Sequence, residues 1–386
     1  MSKDQSFSRE SSIQNLLNTP IGRRKLMLGA AAAAAGATLG RWIPNAEAAV
    51  GGRLDIMAWE GYTLQGEATD WIKQNGINVN ASIMSNQDDV TAKLMGGGVR
   101  LDLAEYSNGY NELYKQLNQL KPIDTSRIPN YNKADIYANF YDGEMWYWDG
   151  QRFAIPWTWG VDTIVYDPKS TTEPVESFKD LLRPEFKGKL TFLDNPLTVW
   201  PLVARITGFG DKFPNVTTDE LQEIFELMQP YREQCRTFAG SNGDVVSLFV
   251  AKEISACFCT WTAATLETAK QGVDTKYVFP KEGGAVWADA WFIPATAENI
   301  DTALEFINQA LDPQVQAKMS KAVSSAVVNR RAVPLMEPSV RALFDYDNVD
   351  SFLKQSPLKG QPPRTSEQYA TYDDWLQAWS SFRAGF

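Results

Sequence analysis

Short apolar runs alternate with amphipathic stretches along most of the chain. Residues 54–59 and 77–83 have the composition and alternation of strands. Residues 88–95 and 372–382 have the spacing of helices, and in the second we expect the Trp375 and Trp379 side chains in the core. Strands that alternate with helices predict an α/β fold.

Two longer extended segments interrupt this alternation. Residues 153–166 are aromatic and β-branched, and residues 277–293 contain Gly283-Gly284, a pair suited to a tight turn or hinge. Two such crossings predict two lobes that close around a ligand in the cleft between them. We predict one lobe from 49–159 plus 288–333, and the other from 160–287 plus 334–386.

The first 48 residues have the pattern of an export signal. Arg23, Arg24 and Lys25 precede an apolar run over residues 26–39, and Ala46-Glu47-Ala48 fits a cleavage site. The run is too short to span a bilayer. The arginine pair predicts twin-arginine export to the periplasm, while Lys25 and Leu26 depart from the strongest signals of that type and leave Sec export open.

Composition removes several classes of function. The chain has no histidine, which excludes a Ser-His-Asp or Cys-His hydrolase and histidine-rich zinc sites. Its 37 basic and 47 acidic residues give a net charge of −10, and removal of residues 1–48 makes this −13. Such acidity argues against nucleic-acid binding. We expect no cofactor, no metal and a monomer, and an enzyme based on carboxylates stays open.

Three cysteines follow the signal. Cys257 and Cys259 lie two residues apart in an apolar run typical of a buried strand, where they are badly placed to bridge each other. Cys235 could pair with one of them, or all three could be buried thiols. Sequence leaves both alternatives open.

Tryptophans mark the places where a ligand would lie. Trp59 and Trp261 lie at the ends of predicted strands, and Trp287 lies two residues before Asp289 in the second crossing. Ligands of open α/β sheets bind beyond the carboxyl ends of strands. Aromatic faces beside a carboxylate suit an organic cation, because the ring attracts an ammonium group and the carboxylate hydrogen-bonds it.

These residues occur in a familiar order. The run from Phe279 to Asp289 (FPKEGGAVWAD), with Ile155-Pro156 and Trp159-Gly160, resembles bacterial spermidine/putrescine-binding periplasmic proteins. The resemblance implies a two-lobed periplasmic binding protein fold of type II that delivers a polyamine or related organic amine to the membrane permease subunits of an ABC importer. It also implies a ligand site, which we predict to consist of Trp59, Tyr62, Ser107, Tyr110, Asn195, Trp261, Trp287 and Asp289.

The chain departs from the family where acid is expected. Asn195 and Thr198 lie at the positions where the family has an acidic pair. Gly109 lies where the family has a tyrosine, and the tyrosine of this chain, Tyr110, comes one residue later. Ser325 lies where the family has an aromatic residue. These departures keep other solutes open, namely a quaternary ammonium compound, an opine or an aminophosphonate. A secreted carboxylate-based hydrolase is the alternative from another class.

Overall fold

The computed structural model describes residues 50–84, 87–97 and 99–385. The predicted export signal therefore lies outside the described residues. Thirteen strands occur in the described part: β1 (Gly52–Ala58), β2 (Ile77–Ile83), β3 (Leu103–Ser107), β4 (Leu120–Lys121), β5 (Tyr147–Trp148), β6 (Gln151–Arg152), β7 (Ala154–Tyr166), β8 (Leu190–Leu193), β9 (Cys235–Ala239), β10 (Ala256–Trp261), β11 (Lys276–Val278), β12 (Ala285–Pro294) and β13 (Ala326–Val327).

Helices occupy most of the segments between these strands. In the described residues they span Thr69–Gln74, Gln87–Gly96, Asn111–Leu117, Ala138–Tyr141, Pro196–Ile206, Thr218–Leu227, Gln229–Gln234, Asn242–Val250, Ala264–Lys270, Ile300–Ala310, Pro313–Val323, Pro338–Arg341, Val349–Gln355 and Tyr372–Ala384. Short 3₁₀ turns complete the connections. The predicted α/β class is confirmed.

One helix is shorter than the pattern predicts. The apolar spacing of residues 64–74 predicts a helix over that whole range, but the helix begins at Thr69. Leu64 has a positive φ of 55°, which a helix interior does not allow, and its side chain is fully buried. Leu64 therefore packs in the core from a turn that precedes the helix, and not from a face of the helix.

The main sheet runs in the order β2-β1-β3-β12-β7-β10-β8-β9. Parallel pairs lie at both ends, with β1 beside β2 and β3, and β8 beside β9 and β10. In the middle, β12 and β7 are antiparallel to their neighbours and to each other. Two parallel α/β halves are therefore joined through two long antiparallel strands.

The two central strands are the predicted crossings. All thirteen residues of β7 are buried; Ala154 to Val161 contribute to one apolar core, and Ile164 and Tyr166 to another. β12 likewise has Ala285 in the second core and Val286 to Ile293 in the first. This confirms a two-lobed type II fold with a cleft between lobes joined by crossing segments.

The lobe boundaries stay a prediction. The composition of the two cores suggests that the predicted segment 334–386 is divided between the lobes. Trp375, Trp379 and Phe382 pack in the second core, as expected for residues 334–386. Val349 and Leu353, from the same predicted segment, pack in the first core. The prediction that Trp375 and Trp379 are core residues is confirmed, since both are almost fully buried.

All three cysteines are free thiols. Cys257 and Cys259 are buried on β10, while Cys235 is half-buried at the start of β9. The Cys259 Sγ lies 3.7 Å from the Thr198 Oγ1. Each helix of the described residues is too short or too polar to span a bilayer.

Candidate functional site

Most of the predicted site residues line one cleft of about 350 Å³. Seven of the eight predicted residues line it: Trp59, Tyr62, Ser107, Asn195, Trp261, Trp287 and Asp289. Sequence reasoning missed the other lining residues: Glu60, Asp162, Leu197, Asn242 and Val323. Both cores contribute to the cleft. Trp59 and Tyr62 pack with the first core, and Leu197 lies in the first turn of the helix Pro196–Ile206, whose buried residues belong to the second.

Asp289 forms one end of the cleft. It lies on β12 directly opposite Ser107 of β3, so the Ser107 Oγ donates to the Asp289 Oδ1 at 2.5 Å. The Tyr62 hydroxyl donates to the other oxygen at 3.4 Å. Burial raises the pKa of Asp289 to about 6, and the hydrogen bonds from Ser107, Tyr62 and Trp59 limit the rise.

Glu105 supports this end from behind and was not predicted. Its carboxylate is fully buried on β3 and accepts from the Trp157 Nε1 at 2.6 Å and from the Trp59 backbone N–H at 3.3 Å. Burial, with a further contribution from the charge of Asp289, raises the pKa of Glu105 well above its usual range. Glu105 therefore fixes the backbone of Trp59 without lining the cleft itself.

Trp287 forms the floor of the cleft. It lies opposite Gly160 in the β7–β12 ladder. A Cβ on Gly160 would be 2.2 Å from the Trp287 Cζ2, so only glycine lets the indole cross β7 this closely. The Trp287 Nε1 donates to the Asp162 Oδ1 at 3.1 Å.

Asp162 forms the other end. It lies on β7 opposite Trp261 of β10 and Ala285 of β12, and its side chain is buried. Burial raises the pKa of Asp162 to about 6, and hydrogen bonds from Thr198 and Trp287 oppose the rise. A single charged residue inside an otherwise uncharged, mostly apolar run of thirteen residues is the sequence signal that could have identified it.

Two asparagines shape the wall of the second lobe. The Asn195 side chain caps the helix Pro196–Ile206 by accepting from the Leu197 N–H at 3.1 Å. The Asn242 Oδ1 accepts from the Thr260 hydroxyl at 2.8 Å, which ties its helix to β10. Asp194, the acid beside Asn195, instead accepts from the Trp379 Nε1 at 2.6 Å and pairs with Arg383.

Tyr110 does not join this cleft. Gly109 has a φ of 93°, and this turn sends the chain toward residues 360–364, so that Tyr110 lines a separate cavity of about 610 Å³ with Arg364. Ser107, three residues earlier, still faces Asp289. The prediction that Tyr110 contributes to the same site as Ser107 is therefore not supported by its position.

A cleft between two lobes that are joined by crossing strands is the architecture of a solute-binding protein. The chain belongs to the family described as bacterial extracellular solute-binding protein, whose model matches residues 68–340. Its similarity to spermidine/putrescine-binding proteins is confirmed at the sequence level.

Two relatives illustrate this. The putrescine-binding periplasmic protein PotF of Escherichia coli (strain K12) is 28% identical over 354 residues, which cover 86% of this chain and 91% of PotF. A spermidine/putrescine-binding periplasmic protein of the same strain is 26% identical over 292 residues, covering 73% of this chain and 79% of its own. The matches therefore include most of both chains.

Solved structures share the fold at lower identity. The spermidine/putrescine ABC transporter substrate-binding protein PotD from Streptococcus pneumoniae aligns with a TM-score of 0.72 and 20% identity, covering 86% of this chain and 99% of its own. AgtB of Agrobacterium tumefaciens R10, solved in complex with agropinic acid, aligns with a TM-score of 0.57 and 17% identity, covering 86% and 96%. One fold thus carries relatives with different ligands.

Proposed function

We propose that this protein binds an organic amine of the polyamine class in the cleft and delivers it to the permease subunits of an ABC importer. The observation that carries the proposal is the composition of the cleft wall. Carboxylates and tryptophans line it, and no Lys or Arg occurs among the described lining residues. Such a wall favours a cation over an anion.

The Asp289 end provides the chemistry for one ammonium group. An ammonium there would form a charge-assisted hydrogen bond with a carboxylate already oriented by Ser107 and Tyr62. Trp59 and Trp287 would cover the alkyl chain, and each cation–π contact adds about 0.5–2 kcal/mol. Closure of the lobes about β7 and β12 would then exclude water from the ligand.

The rival solutes need a partner for a negative group. An opine, an aminophosphonate or a zwitterion would bring a carboxylate or phosphonate into a wall whose described charged members, Glu60, Asp162 and Asp289, are all acidic. The negative group of such a solute would be repelled by these acidic side chains, which disfavours binding. We therefore favour an amine without an acidic group, bound by a monomeric, exported protein without catalytic activity.

Calorimetric titration of the full chain tests this, after bound ligand has been removed by dialysis. Putrescine, spermidine, choline and γ-aminobutyrate form the panel, and tryptophan emission provides a second signal because Trp59, Trp261 and Trp287 line the cleft. We expect saturable binding of putrescine or spermidine at least tenfold tighter than of γ-aminobutyrate. No saturable binding of any cation overturns the amine proposal, and turnover of a bound compound would instead favour the hydrolase.

A further inference from the structure

We propose that Asp162 is a second ammonium-binding carboxylate, at the opposite end of the cleft from Asp289. The cleft would then select an organic dication with one charged group at each end. This inference rests on the proposed function, that the cleft binds an amine.

The β7–β12 ladder sets the spacing of the two carboxylates. Asp162 lies opposite Ala285, and Asp289 lies four residues further along β12, opposite Thr158. The pairing is regular over this stretch, since the register shift comes only after Asp289. Residues opposite each other, and every second residue along a strand, share one face, so both acids face the same side about 14 Å apart along the strands.

Trp287 occupies that face between them. It lies two residues before Asp289 and opposite Gly160, and its indole reaches across β7 to hydrogen-bond Asp162. The floor between the two carboxylates is therefore one aromatic ring. A ligand with an apolar middle and charged ends matches this order of acid, ring and acid.

The partners of Asp162 distinguish it from structural acids. The described residues include five buried acidic side chains: Asp55, Asp102, Glu105, Asp162 and Asp289. Asp55 pairs with Arg53, and Asp102 with Arg100. Glu105, Asp162 and Asp289 are all hydrogen-bonded only by neutral groups among the described residues. Of these three, only Asp162 and Asp289 line the cleft.

A buried carboxylate without a cation is costly to the folded protein. Such a group is expected at a functional site, where a ligand provides the missing charge. Asp162 lines the cleft, so an ammonium in the cleft can reach it. The alternative is that Asp162 only orients the Trp287 indole through its hydrogen bond.

The Asp162→Asn variant separates the two roles. The amide keeps an oxygen that can accept from the Trp287 Nε1 but removes the charge. The full chain, Asp162→Asn and the exposed-surface control Asp274→Asn are titrated with n-butylamine and with α,ω-diaminoalkanes of four to eight carbons. Circular dichroism verifies that each variant is folded.

We expect the unaltered chain to bind its preferred diamine at least tenfold tighter than n-butylamine. Asp162→Asn should lower diamine affinity at least tenfold and change n-butylamine affinity less than twofold, while Asp274→Asn changes neither. Equal affinity of the unaltered chain for both amines overturns the inference without any variant. So does an Asp162→Asn variant that keeps diamine affinity or weakens both amines equally. In each of these results an amine still binds, whereas binding of no amine overturns the proposed function itself.

Discussion

The two ends of the cleft are built differently although each centres on one buried aspartate. Asp289 receives two hydroxyl groups, from Ser107 and Tyr62, and Glu105 fixes the backbone of the adjoining Trp59. Asp162 receives the Trp287 indole and the Thr198 hydroxyl. The first end is assembled within one core, whereas the second lies where β7 passes between cores. Under the proposed function, we expect the Asp289 end to bind an ammonium group without help from the other end, whereas binding at the Asp162 end should depend on the position of Trp287.

The largest expected effect comes from neutralising the better-built end. Asp289→Asn removes the charge that two hydroxyls orient, and loss of one partner of a buried charged pair costs about 2–5 kcal/mol. We expect the affinity for every amine to fall roughly 30-fold or more, measured by calorimetry at pH 7.5. Retained affinity for monoamines would show that the Asp289 end is not the primary ammonium site.

Acidification should weaken both ends together. Burial raises the pKa values of Asp162 and Asp289 to about 6, while the amine stays protonated. Protonation at pH 5 should therefore lower affinity about tenfold for each carboxylate that holds an ammonium group. We expect roughly a 100-fold loss for a diamine and a tenfold loss for a monoamine between pH 7.5 and 5.

Stability of the ligand-free protein should change in the opposite direction. A folded-state pKa above the unfolded value means that the folded form takes up protons first, so the free energy of unfolding rises as the pH falls from about 6 toward 4. Each group contributes about 2–3 kcal/mol at most. Thermal unfolding of the ligand-free chain measures this, and the Asp162→Asn/Asp289→Asn double variant should show less of it. A double variant with an unchanged pH dependence would contradict the assignment.

The floor between the two ends can be disturbed without touching either carboxylate. Gly160→Ala places a methyl group against the Trp287 ring, so the ring must shift and its hydrogen bond to Asp162 is disturbed. We expect about a tenfold loss of diamine affinity. Gly243→Ala is the matched control, because its nearest neighbour, the Ser241 Oγ, is 3.7 Å away. Unchanged diamine affinity of Gly160→Ala would show that the position of the Trp287 ring does not matter for ligand binding.

The smallest effects separate two tyrosines. Tyr62→Phe removes one donor to Asp289, a long hydrogen bond of 3.4 Å, and should cost about 1 kcal/mol, or about fivefold in affinity. Tyr110→Phe should change affinity less than twofold, since Tyr110 lines another cavity. Titration of both variants with one diamine tests this; a larger loss for Tyr110→Phe would place that residue in the site after all.

Sequence reasoning found one end of the cleft and missed the other for a physical reason. Trp59, Trp287 and Asp289 lie at strand ends or in a crossing segment, and the family resemblance covers them. Glu105 and Asp162 lie inside buried strands, where apolar periodicity predicts only core. Their role depends on which strands become neighbours, and that pairing joins residues more than 100 positions apart.

The same limit explains Tyr110 and the lobe boundaries. Tyr110 is only three residues from Ser107, but the positive φ of Gly109 turns it toward another cavity. The short separation of Tyr110 and Ser107 in the sequence does not predict that their side chains point to different cavities. Val349 and Leu353 lie in the segment 334–386 that we predict for the second lobe, yet they pack in the first core. Most of the longer strands and helices were predictable because apolar periodicity is a local property, whereas loop direction and core membership depend on contacts between distant parts of the chain.

Residues from late in the chain complete both cores, and this affects folding during translation. The first core is completed by β12 and by Val349 and Leu353, and the second by Trp375 and Phe382 of the last helix. The first lobe lacks some of these apolar partners until residue 353 has left the ribosome, and the second lacks some until residue 382 has. We therefore expect the growing chain to expose apolar surface that chaperones must cover, and a chain that stops before residue 372 to be degraded.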